Sequence, residues 1–110
     1  MRKISKPLPD LKQIEVNGIV FDIQRADIDI LEKAMNMMQD YKDLTDSEPE
    51  RIVKAVKDCI AYIDEVLGDG ATKQITQGRP FGLNYAVDLM KDICAAVVEE
   101  YNDKIADEYE

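Results

Sequence analysis

Histidine is absent from this chain. That removes Ser-His-Asp and Cys-His catalysis, imidazole metal ligation and the commonest general base in one step. Serine is nearly as scarce. Ser5 falls in an N-terminal arm and Ser47 at a predicted helix start, and neither sits in a strand-turn-helix nucleophile pattern. Two cysteines, Cys59 and Cys94, are too few for a disulfide framework. Both fall on apolar helical stripes, where cysteine acts as a small core residue.

Long apolar runs are lacking too. The longest, Ile93 to Val98, is far shorter than the roughly 20 residues that span a bilayer. Met1 to Asp10 (MRKISKPLPD) carries cations with no apolar stretch behind them, unlike a secretory leader. The expected address is the cytoplasm. Positive charge is outweighed: Lys and Arg total 14 against 23 Asp and Glu, for a formal charge of −9. Nucleic-acid binding rests largely on cations that release phosphate counterions, so it is disfavoured. The acidity reads as solubility or as a steering surface for a basic partner.

What remains fits one domain of 110 residues, 45% of them hydrophobic. Residues 1–11 hold Pro7 and Pro9 and read as a flexible arm. Residues 12–23 carry a hairpin signal: Ile14 and Val16 alternate with polar neighbours, as do Ile19, Phe21 and Ile23. Asn17-Gly18 between them suits the positive φ angles of a type I′ turn. A hairpin alone is marginal in water, so its apolar face should lie on the helices.

Residues 24–110 form the helical body. A first helix over about 27–44 presents Leu31, Ala34, Met35, Met38 and Tyr41 at helical spacing. Met35, Met37 and Met38 make a soft cluster that serves as core filling or as an adaptable binding surface. A second helix starts at Ser47-Glu48-Pro49-Glu50, a capping-box pattern with proline in the first turn. It runs to Leu67 with Ile52, Val56, Cys59, Ile60, Ile63 and Leu67 on one face, and stops at Gly68. Gly70 to Gln77 forms a short helix, and Arg79-Pro80-Phe81-Gly82 a connector. The last helix, from Leu83 or Asn84, aligns Ala86, Met90, Ile93, Cys94, Val97 and Tyr101, with Leu89 and Val98 widening the stripe. Acid at its C-terminal end opposes the macrodipole and predicts fraying from Glu99 onward. The fold class is mainly α with a small β element: a hairpin, three main helices and one short helix.

Chemistry is thin. The stretch Asp64 to Gly70 (DEVLGDG) resembles a calcium loop only superficially. With Gly70 at the glycine position, Leu67 falls on a ligand position and Thr76 on the closing one. Gly68-Asp69-Gly70 lacks the Gly-Lys-Ser/Thr ending of a P-loop and follows a helix. No catalytic, metal or cofactor residue is assigned, and the chain reads as a non-enzymatic binding module. Arg79, alone in a connector of an acidic protein, either neutralises carboxylates, caps the short helix or contacts a partner. Met35, Met38, Arg79, Phe81 and Tyr85 are the candidate partner-binding residues.

A family resemblance enters at Ala61 to Val97. A helix ends in Ile63-Asp64-Glu65-Val66-Leu67-Gly68, then come Asp69-Gly70-Ala71, a short helix with Ile75, Gly78-Arg79 and a second apolar helix. This resembles small tail assembly chaperones, and related proteins of unknown role, encoded in the tail-gene region of phages and prophages of Gram-positive bacteria. The hairpin with Asn17-Gly18 is also family-like. Thr76 stands where the family often has an aromatic, and Pro80-Phe81-Gly82 intervenes before Asn84. The resemblance implies a tail-assembly helper in the host cytoplasm that coats the tape-measure protein, or meets the tail-tube protein, and then leaves. A homo-oligomer through the stripe of the last helix stays open. The alternative is an acidic nucleic-acid mimic that occupies a basic protein's groove, although Arg51, Lys54 and Lys57 interrupt the acids of the second helix.

Overall fold

The computed structural model describes residues 2–5, 12–41 and 49–102. Strands β1 (Gln13–Val16) and β2 (Ile19–Asp22) pair antiparallel, with Ile14 opposite Phe21 and Val16 opposite Ile19. Asn17 and Gly18 take φ angles of 52° and 82°, as the predicted turn requires. The alternation sends Phe21 inward while Gln13, Glu15, Val20 and Asp22 face solvent. Ile23, just past β2, is also buried. Four helices follow: α1 (Ile28–Tyr41), α2 (Pro49–Leu67), α3 (Ala71–Thr76) and α4 (Leu83–Glu100).

Helix α2 is the centre of the body and packs against α1, α3 and α4. Its fully buried Cys59, Tyr62, Ile63 and Val66 meet Met90, Ile93 and Val97 of α4 and Ile30 and Ala34 of α1 in one core. The hairpin lays Phe21 and Ile23 on the same cluster, which supplies the support that a two-stranded element needs. The link after β2 is fixed as well, since Gln24 N–H donates to the Val66 carbonyl at 2.7 Å.

Several expected details are corrected. Along α1 the buried seam is Ile30, Ala34 and Met37, while Leu31, Met38 and Tyr41 are half-buried and Met35 is 69% exposed. The seam is rotated by about one residue from the expected one. Along α2, Ala55, Tyr62 and Val66 are buried, whereas Ile52, Val56 and Ile60 sit at its margins. The stripe of α4 holds from Ala86 to Val97. Fraying does not begin at Glu99. Helix α4 continues through Glu100, which is 2% exposed and accepts the Lys12 backbone N–H at 2.9 Å. Residues 2–5 of the arm are exposed and without regular structure. The rest of the arm, the Ser47 cap, residues 42–44 of the first helix and the acidic tail from 103 lie outside the described residues.

Candidate functional site

Helix α3 fixes the geometry of the connector behind it. Its start is held by Asp64, whose Oδ1 accepts both the backbone N–H and the hydroxyl of buried Thr72 at 2.9 Å. One acid of the calcium-like stretch is therefore the cap of the next helix. At the other end Gly78 N–H reaches the Lys73 carbonyl and Gln77 N–H the Gln74 carbonyl, the paired bonds of a Schellman stop. The left-handed residue of that stop is Gln77, at φ 58°, followed by Gly78 at 73°. Arg79 N–H then donates to the Thr76 carbonyl at 3.1 Å. The chain passes Pro80 and enters α4 at Gly82, whose extended backbone forms the N-cap.

The stop leaves a groove of about 560 Å³ between the connector and the hairpin tip. Ile75, Phe81 and Tyr85 supply its larger apolar lining, and Asn17, Gln77 and Arg79 its polar and charged lining. Phe81 and Tyr85 are one helical turn apart across the start of α4, with ring centroids 5.6 Å apart and planes tilted by 53°. The Asn17 side-chain amide donates to the Ile75 carbonyl and the Tyr85 hydroxyl, each at 3.4 Å. The hairpin turn thus reaches across to the aromatic pair.

Three of the five candidate partner-binding residues, Arg79, Phe81 and Tyr85, are brought together here. Met38 lies elsewhere, in a hollow of about 480 Å³ between α1 and the start of α4 that Tyr41, Leu83 and Val87 also line. Met35 lines neither. Arg79 does not act as either structural role would have it: its backbone, not its side chain, meets the last carbonyls of α3, and its guanidinium has no carboxylate partner among the described residues. Residue-level reading missed Asn17 and Gln77 as groove residues. The turn signal located Asn17 but gave no hint of its reach to Tyr85.

Ion pairs cluster on a different side. Arg25 holds Asp27 with two hydrogen bonds, at 2.8 and 3.2 Å, and also binds Glu65, which in turn meets Lys33 at 2.7 Å. The Arg25 hydrogen bond holds the Asp27 carboxyl below its ordinary range, and the Lys33 bond does the same for Glu65. This network ties the hairpin link to α1 and α2 and is structural in character. Among the described residues no three His, Cys, Asp or Glu side chains converge as a metal site, and no helix is long and apolar enough to cross a membrane. No known protein family, curated protein or solved structure matches the chain.

Proposed function

We propose that this chain is a non-enzymatic binding module that escorts another polypeptide during phage or prophage tail assembly, with the tape-measure protein as its partner. The observation that carries the reading is the groove at the hairpin tip. It combines an open aromatic pair with an arginine that has no carboxylate partner among the described residues, residue types enriched in protein-binding hot spots, on a chain of net negative charge. The resemblance of Ala61 to Val97 to tail assembly chaperones supplies the partner. A long helical partner would otherwise expose apolar stripes, and a small domain of charge −9 bound along it would keep the complex soluble.

The test is co-expression with the tape-measure protein of the same tail-gene cluster. The tape-measure protein is expected to move from the insoluble to the soluble fraction and to co-purify with this chain. A tape-measure protein equally insoluble with and without it would sink the proposal.

A further inference from the structure

Between Gly70 and Val87 the chain has no aspartate or glutamate, although the protein carries 23 of them. The same window holds Lys73 and Arg79, and it supplies every groove-lining residue except Asn17. None of the groove's described lining residues is acidic. Arg79, which has no carboxylate partner among the described residues, belongs to that stretch. Tyr85, 41% exposed, is kept in place by Phe81 and Asn17, so the slot is formed before anything enters it. At about 560 Å³ the groove falls within the roughly 300–1,000 Å³ of ordinary ligand sites. That is room for a few side chains of a peptide, not for a whole helix.

We infer that the groove takes a short stretch of the partner polypeptide in which an apolar side chain of leucine or phenylalanine size neighbours a glutamate or aspartate. The apolar group lies against Phe81 and Tyr85, and the carboxylate pairs with the Arg79 guanidinium in a forked, charge-assisted contact. A lysine or arginine in place of that carboxylate would be set against Arg79, with no acid among the described lining residues to receive it. The inference deepens the reading above by stating the chemistry of the partner's segment, and it rests on that reading only for the partner's name.

The probes are two short end-blocked peptides alike in every position except one, a leucine–glutamate peptide and its leucine–lysine counterpart, titrated into the isotopically labelled full chain. The glutamate peptide is expected to shift the amide resonances of Gly78, Arg79, Phe81 and Tyr85 and to bind about tenfold tighter than the lysine peptide. Arg79→Glu should reverse that preference, while Arg79→Gln should abolish it with the melting temperature unchanged, because the side chain holds no structural partner among the described residues. Equal binding of the two peptides, or shifts centred on another face, would overturn the inference. Co-purification separates it from the broader reading. If the wild type retains the tape-measure protein and Arg79→Glu retains it equally well, the groove inference fails and the reading stands. If the wild type retains none while the charge preference persists, the groove stands and the partner is wrong.

Discussion

The Asp64 carboxylate, in the last turn of α2, accepts two hydrogen bonds from Thr72, one from its backbone N–H and one from its hydroxyl, both at 2.9 Å. Gly70, at the N-cap of α3, offers no side chain to do this, so the cap comes from the preceding helix. Through it the short helix is locked to α2, and the Schellman stop, Arg79 and Phe81 follow from where α3 ends. Asp64→Ala leaves a buried hydroxyl and a helix N–H without their acceptor, at a cost of about 1–2 kcal/mol. Asp64→Asn keeps one oxygen and should lose less. Chemical denaturation checks both. In a double-mutant cycle Thr72→Val should cost little once Asp64 is alanine, and strictly additive effects would contradict the coupling.

How far such features could be read from residues alone differs by element. The hairpin was legible because Asn17-Gly18 is itself the turn, and strict alternation fixes which side chains face inward. The phase of α1 was not. Ile30-Leu31 and Met37-Met38 are neighbouring apolar pairs, so two seams one residue apart satisfy the same period. Packing of the helix on α2 and the hairpin chooses between them, and a local pattern does not contain that contact. Glu100 was illegible for a similar reason: an acid at a helix C-terminus reads as solvated, and its acceptor role depends on Lys12, 88 positions away. In the groove, Arg79 stood out as a lone cation and the Phe81–Tyr85 spacing was visible. Gln77 was not, because Gly78 beside it looked like the natural left-handed residue.

Half-buried Tyr41 and fully buried Tyr62 should respond with opposite sign to the same change. The Tyr41 hydroxyl donates to the Ala55 carbonyl at 3.1 Å and receives the Cys59 thiol at 3.6 Å. The Tyr62 hydroxyl is fully buried beside the Cys94 thiol and makes no well-formed hydrogen bond among the described residues. Burial pushes both phenols well above their ordinary pKa. Tyr41→Phe is expected to destabilise by about 0.5–1.5 kcal/mol, whereas Tyr62→Phe removes an unsatisfied group and should be neutral or stabilising by up to about 1 kcal/mol. Urea denaturation of the two variants decides it. A loss at Tyr62 equal to that at Tyr41 would mean that its hydroxyl is satisfied after all.

Glu100 closes the molecule by bringing the far end of α4 to the entry of β1. The residue is 2% exposed and its carboxylate accepts the Lys12 N–H at 2.9 Å, and the Lys12 carbonyl in turn accepts Ile23 N–H at 3.1 Å. Glu100→Ala should cost about 1–3 kcal/mol by removing the carboxylate that accepts the part-buried Lys12 N–H. The loss should be local first. Amide exchange is expected to quicken in β1 and β2 before it changes in the centre of α2, as for an element that opens below the global transition. Uniform acceleration across both regions would show that the contact stabilises the whole domain and is not a latch on the hairpin.

Acid should unpick the Arg25–Asp27 and Lys33–Glu65 pairs in a predictable window. Both carboxyls titrate below their ordinary values in the folded state because a cation is hydrogen-bonded to them. The unfolded chain therefore takes up protons first as pH falls, and the contribution is complete above about pH 5 and fades as pH drops through about 4 toward 3. The side chains are between 32% and 48% exposed, so solvent screening keeps the effect to a few degrees in melting temperature at most. Protonating the other acids relieves repulsion in a chain of charge −9 and works in the opposite direction. The quantity to measure is thus the melting-temperature difference between the wild type and an Arg25→Met, Lys33→Met double variant at each pH. That difference should be largest near pH 6 and should shrink progressively as pH falls below about 4. A gap that stays constant across the range would mean that the two cations act through packing of their stems and not through charge.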